Sequence, residues 1–420
     1  MISPLFIQLL FVGSVILIWL MLVYQFVLCS AGFIYSRESA REKRKIDAGS
    51  FAVEGVSILI PAHNEEMVIE DTIQAFFELD FPKDKLEIFV VDDASTDKTP
   101  EILDRLAKKY AGLNVLHIPP SEGGKGKAAA LNRAVPLTKY ELIAVYDADN
   151  QPEPKALRYL ASQFILDPKL GAALGKFRTL NKNKNILTRF INIEGLSFQW
   201  IVQAGRWKLL KIATLSGTNF ILRKSVLAEV GGWDIEALTE DAELSLRILE
   251  GGHLIKFVPY AVTWEQEPEN LSTWFRQRVR WARGNFYLMR KFLASIGHAK
   301  NKALATELIY FLALYYVFVA AITVSALLFL LCMSGAISIP VPGPYLEVWL
   351  LAYMLFVSEI MIMLSREIGE DSISNIFFTI ATYFTYSQLW PFVVAKAFYL
   401  EYIKKEERKW DKTRRFPQSN

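Results

Sequence analysis

Thr239-Glu240-Asp241 opens a stretch with helical spacing, TEDAELSLRILEGG, and Gln277-Arg278-Val279-Arg280-Trp281 follows within a basic and aromatic stretch, FRQRVRWARGN. A positioned carboxylate can accept a proton, and arginine forks can grip phosphate. Acids in a helix first turn also favour the helix dipole, so a structural and a chemical role can coexist in the triplet. Two further acidic groups close apolar runs: Asp92-Asp93 after residues 86–91, and Asp147-Ala148-Asp149 after residues 141–146. Two aspartates flanking one small residue let a carboxylate reach a divalent cation seated on phosphate oxygens. A proton acceptor, phosphate grips and a metal pair are together what transfer from a phosphate-activated donor requires.

The elements that must position these residues alternate. Apolar runs lie at 56–60 (ending in PAHNEE), 86–91, 114–118 and 141–146, and helical spacing lies at 66–79, 100–110 and 128–135. This alternation predicts a doubly wound, mostly parallel α/β sheet, whose ligands bind at the carboxyl ends of the strands where the acids stand. GGKGKAAALN, residues 123–132, is glycine-rich, but no Gly-Lys pair in it is followed by Ser or Thr, so it is not a phosphate loop of the NTPase kind. The turn ASTDKTPE places Asp93 and Asp97 as caps of a turn and helix.

The order of these motifs over residues 56–285 resembles that of the processive family 2 glycosyltransferases, the cellulose, chitin, hyaluronan and poly-N-acetylglucosamine synthases. The resemblance implies a GT-A fold. It also implies that Asp92 faces the uracil ring and that Pro61, Ala62 and Glu65 line the nucleoside. Lys127, Gln277 and Arg280 then meet the diphosphate, and Asp149 with Asp147 holds Mg2+ or Mn2+. Asp241 becomes the base, with Glu240 positioning it. Gly217 and Thr218 of SGTN contact the acceptor, and Trp281 offers it a flat stacking face. Arg278 and Arg283 are left for lipid headgroups or the surface.

Hydrophobic residues make up 52% of the 420, which leaves room for a soluble domain and membrane segments, while a net charge of +3 gives no field for nucleic acid. Both cysteines, Cys29 and Cys332, lie in apolar runs, which excludes a disulfide framework. Residues 1–36 read as an N-terminal membrane anchor, longer than the roughly 20 residues a span needs and without the basic start of a signal peptide. The following RESAREKRKID favours the cytoplasm, so the catalytic domain, residues 50–295, is expected there. Segments at about 186–212 and 271–292 mix aromatic and basic residues and read as interface helices, although periodicity alone fits a core helix equally well for the first. Residues 303–400 hold three apolar segments, at 304–333, 345–364 and 376–400. Three crossings would put the basic tail, 401–420, outside, against the retention of basic segments inside. The last segment, with Gln388, Pro391 and Lys396, is therefore expected to lie in the interface or re-enter.

The expected activity is inverting, processive transfer from a UDP-sugar to a growing polysaccharide at a bacterial plasma membrane, with an N-acetylglucosamine polymer favoured. Accessory membrane subunits are expected partners, since the tail carries no evident regulatory domain. The alternative is a single transfer to a polyprenyl-phosphate or other lipid acceptor. A catalytically dead scaffold fits poorly with acids at every position, and a transporter would need more polar helices than are present.

Overall fold

The computed structural model describes residues 3–49, 52–293, 302–338 and 344–408. One helix, α1 (Pro4–Ala48), leads into β1 (Val56–Ala62), α2 (Ile69–Phe77), β2 (Leu86–Asp93), α3 (Thr99–Lys109), β3 (Leu113–Ile118), α4 (Lys127–Ala134) and β4 (Leu142–Val145). The short β5 (Gln151–Pro152) and α5 (Ala156–Leu166) come next, then β6 (Leu170–Thr179). After α6 (Ile186–Ser197), a π-helical stretch (Phe198–Gln203) and α7 (Ala204–Leu210), the chain returns through β7 (Phe220–Arg223), α8 (Lys224–Glu229), α9 (Glu240–Glu250) and β8 (Leu254–Glu265) to α10 (Leu271–Phe292).

The strands form one sheet in the order β3-β2-β1-β4-β7-β6-β8-β5. Its first four strands are parallel, as the alternation predicts, and β1 and β4 are apolar and buried on both faces because helices cover the sheet. The second half is mixed: β7 runs antiparallel to β4 and β6, and β5 antiparallel to β8. The sheet is thus the curled mixed sheet of a GT-A domain, less uniformly parallel than the sequence suggests.

The helix expected as an anchor does not stop at residue 36. α1 runs for 45 residues, about 68 Å at 1.5 Å per residue, because its charged end has partners on the catalytic domain. Glu38 pairs with Lys208 at 2.5 Å, Glu42 meets Lys256 at 2.8 Å and the Tyr260 hydroxyl at 2.5 Å, and Asp47 accepts from Tyr159 at 2.8 Å. Higher up, Gly32 and Gly205 let α1 lie directly on the π-helical stretch and α7, since a Cβ on either would strike the facing backbone. Much of the segment 186–212 accordingly packs as core. Arg206, within it, is fully buried against Glu307 of α11 (Lys302–Leu312).

Among the described residues, three helical stretches are long and apolar enough to cross a membrane: Leu5–Ala48, Tyr316–Met333 and Glu347–Leu364. The second ends α12 (Val319–Met333), which a π-helical stretch (Ala313–Phe318) joins to α11, and the third lies in α13 (Tyr345–Leu364). The last apolar segment is no single span. It breaks at the non-helical Thr385 into α14 (Ile373–Phe384), a 3-10 turn (Tyr386–Leu389), α15 (Trp390–Phe398) and a π turn (Tyr399–Ile403). Its polar groups turn back to the catalytic domain, where Tyr386 and Trp390 donate to Glu194. The loop before it docks there too: Glu367 takes Lys176 and the Trp200 indole N–H, and Glu370 takes Lys182 at 2.5 Å. Of the basic tail, residues 401–420, positions 409–420 lie outside the described residues.

Candidate active site

At the carboxyl end of β1, Pro61 is half-buried and Ala62 buried. The turn that follows is bonded across to the loop after β2. His63 Nδ1 lies 2.7 Å from the Asp93 carbonyl oxygen, the Thr96 N–H donates to Asn64 Oδ1 at 2.7 Å, and the Glu65 N–H donates to Thr99 Oγ1 at 2.7 Å. Asp92, closing β2, is buried. It accepts from the Ser95 N–H at 3.0 Å and faces His117 Nδ1 at 2.7 Å. Burial works against a charged His117, but Asp92 and Asp104 outweigh it and raise the imidazole above its ordinary value. Asp97 bounds the start of α3 as the sequence suggests, accepting from the Thr99 N–H at 2.9 Å. Asp93 does something else. Its carboxylate accepts from the Gly124 and Gly126 N–H groups at 2.8 and 3.1 Å, clamping the glycine-lysine loop ahead of α4.

That clamp delivers Lys127, the first residue of α4, to the centre of the site. Its Nζ is 2.5 Å from Asp147 Oδ1, 2.6 Å from the Gly217 carbonyl oxygen and 3.9 Å from Glu240 Oε1. Burial opposes the ammonium charge, but Asp147 and then Glu240 prevail and hold its pKa above the ordinary lysine value. Asp149 is buried and accepts from the Gln266 N–H at 3.2 Å. Between the two acids and the SGTN loop stands Asn150, whose side-chain oxygen takes the Asp147 N–H at 3.2 Å and the Thr218 hydroxyl. Thr218 is a buried brace between the two loops, its hydroxyl accepting from the Asp147 N–H at 3.1 Å. Gly217 does reach the site. With φ +82° it adopts a conformation that favours glycine, and a Cβ there would lie 3.5 Å from Asp241 Oδ2 and 3.8 Å from Lys127 Nζ.

Glu240 and Asp241 occupy the first turn of α9, where the dipole favours acids. Asp241 is nonetheless pushed up to about 7, first by burial and then by the charge of Glu240 beside it. Helix α10 closes this side. The Arg280 guanidinium donates to the Leu238 carbonyl at 3.1 Å, and Gly284 lets the helix sit on Thr239, whose side chain a Cβ would strike. Gln277 accepts from Arg278 Nη1 at 2.7 Å, and the Arg278 guanidinium lies 4.0 Å above the Trp281 ring centre.

Arg278 and Arg283 are not surface residues. They are 2% and 6% exposed, and their guanidinium groups meet Glu194 at 2.6 Å and Glu401 at 3.5 Å. Both partners lie far away in sequence, which is why the spacing of α10 alone suggests lipid contacts. Sequence reasoning also passes over Asn150 and Gly284. The first directly follows the Asp-x-Asp pair and was within reach; nothing local marks the second.

Among the described residues, no three His, Cys, Asp or Glu side chains gather into a metal cage. Two carboxylates at one strand end suit a cation that arrives with phosphate oxygens as its other ligands, and the Lys127 ammonium on Asp147 shows that this face gathers positive charge.

A GT-A sheet with acids at the strand ends and a basic helix over them defines a glycosyltransferase. The chain matches the family described as glycosyltransferase like family 2 over residues 54–284, more than half its length, and it belongs to that family. It is 43% identical over 412 residues to the probable glycosyltransferase YdaM of Bacillus subtilis, covering 97% of this chain and 98% of that one. It is 33% identical over 264 residues to the poly-beta-1,6-N-acetyl-D-glucosamine synthase of Staphylococcus epidermidis, covering 62% of this chain and 61% of the relative. Among solved structures, a mannosyltransferase of Pyrobaculum calidifontis in complex with GDP-Man and Mn2+ shares the fold, with TM-score 0.54, 21% identity, and coverage of 87% of this chain and 99% of that one.

Proposed function

We propose that the protein transfers a sugar from a UDP-sugar to the hydroxyl of a growing polysaccharide, by one inverting displacement at the cytosolic face of a bacterial membrane. The observation that carries this reading is the meeting of Asp241, Glu240, Lys127, Asp147 and Gly217 at one point, a raised carboxylate beside a buried ammonium. Asp241 takes the proton of the acceptor hydroxyl, whose oxygen attacks the anomeric carbon as the bond to UDP breaks. Lys127 leaves Asp147 for the donor diphosphate, and Arg280 with Gln277 grips it from α10. Asp149 and Asp147 hold Mg2+ or Mn2+, which supplies neutralising charge to the diphosphate. Asp92, Pro61, Ala62 and Glu65 line the nucleoside, and Trp281 stacks on the acceptor sugar.

N-acetylglucosamine is the favoured sugar, on the strength of the staphylococcal relative's name. The catalytic domain, the 365–371 loop and the start of the tail share one side, so two C-terminal crossings and an interfacial last segment keep the basic tail cytosolic, in keeping with charge bias. The test uses membranes containing the full chain, Mg2+ or Mn2+, and a panel of labelled UDP-sugars. High-molecular-weight labelled product, with UDP-N-acetylglucosamine as donor, is the expected result. Label confined to a solvent-extractable lipid would replace the polymer with a single transfer to a lipid carrier.

A further inference from the structure

The Glu194 carboxylate, on α6, gathers donors from three places. Its Oε2 accepts from Arg278 Nη2 at 2.6 Å and from the Tyr386 hydroxyl at 2.8 Å, and its Oε1 from Trp390 Nε1 at 3.0 Å. Tyr386 in turn accepts from Trp274 Nε1 at 2.8 Å, so the acid joins α6, α10 and the broken last segment. An ion pair that merely stapled two helices could use any pair of facing positions. Here the same buried guanidinium donates to Gln277 at 2.7 Å through Nη1 and lies 4.0 Å above the ring of Trp281. A planar guanidinium held at both ends has its face orientation fixed, and with it the ring beneath.

We propose that Glu194 is a positioning residue: through Arg278 it sets Trp281, and so the platform on which the acceptor sugar rests, and it ties that platform to the last membrane-facing segment. This rests on the proposed transfer reaction. Without the carboxylate, Arg278 has no anion to hold its Nη2 end, and the Trp281 face loses its fixed orientation. Bound donor then meets water more often relative to a seated acceptor.

The test is Glu194→Gln in the full chain in membranes, supplied with UDP-N-acetylglucosamine. Total UDP release and label built into polymer are measured together, with UDP affinity measured separately. The expected result is a rise of about tenfold or more in UDP released per sugar incorporated, with wild-type UDP affinity. Trp390→Phe, which removes one donor to the same carboxylate, shifts the ratio the same way by less and decides the question should E194Q not accumulate. Glu42→Gln breaks a comparable pair, to Lys256 and Tyr260, away from the site and leaves the ratio unchanged. An unchanged ratio in both E194Q and W390F, or hydrolysis and transfer falling together, overturns the role of Glu194. Failure of the wild-type chain to transfer sugar at all overturns the functional reading instead.

Discussion

The two sides of the site are built differently. On the proposed nucleotide side, between β1 and β4, polar groups find partners in the loops at the same strand ends: Asp92 with Ser95, Asp97 with Thr99, Asp93 with Gly124 and Gly126. On the membrane side, several charges are answered from distant parts of the chain: Glu194 by Arg278, 84 residues on, Glu367 by Trp200, 167 residues away, and Arg206 by Glu307. A local pattern therefore describes the first side and misleads on the second, where a buried arginine and a lipid-facing one share the same spacing.

The comparison can be broken at its catalytic seam first. Asp241→Asn should lower turnover by about 10²- to 10⁴-fold while UDP still binds. Loss of UDP binding, read by calorimetry, would move Asp241 to the nucleotide side. On the membrane side, Glu307→Gln leaves the buried Arg206 without its anion and should lower stability by about 3–5 kcal/mol, read by denaturation in detergent. Between the two, Gly284→Ala forces α10 away from Thr239 and should reduce kcat by about 100-fold with little change in fold content.

The pH dependence sharpens the seam further. A base must be ionised to act, so with Asp241 near 7, kcat should fall as pH drops through that value. Burial and Glu240 both raise that value, so Glu240→Gln should move the limb to lower pH without abolishing it; the apparent value belongs to the pair. The smallest effect is expected from Glu70→Gln, which removes a solvent-exposed pair with Arg105 and should change stability by less than about 1 kcal/mol, read in the same denaturation assay.

Much of the fold was legible because apolar runs ending in acids and helical spacing are local signals. These give the parallel half of the sheet, the strand-end positions of Asp92, Asp147 and Asp149, and the place of Lys127 before a helix. The antiparallel return of β7 was not legible, since a strand of four residues, Phe-Ile-Leu-Arg, carries no direction. Nor was the brace of Thr218 on Asn150, or the burial of Arg278 and Arg283, because each depends on a partner fixed only by tertiary packing. The break at Thr385 was partly legible: Gln388 and Pro391 already made the last segment a poor span.

The length of α1 bears on how the protein is made. Translation delivers this helix before the sheet, yet its charged end waits for Lys256 and Tyr260, and Tyr35 for the Phe257 carbonyl, all on β8, the last long strand of the sheet. Closure of the sheet thus takes place beside a helix long and apolar enough to cross a membrane. Packing of α1 and closure of the sheet become one event, and a version cut free of α1 would lack part of its own interior.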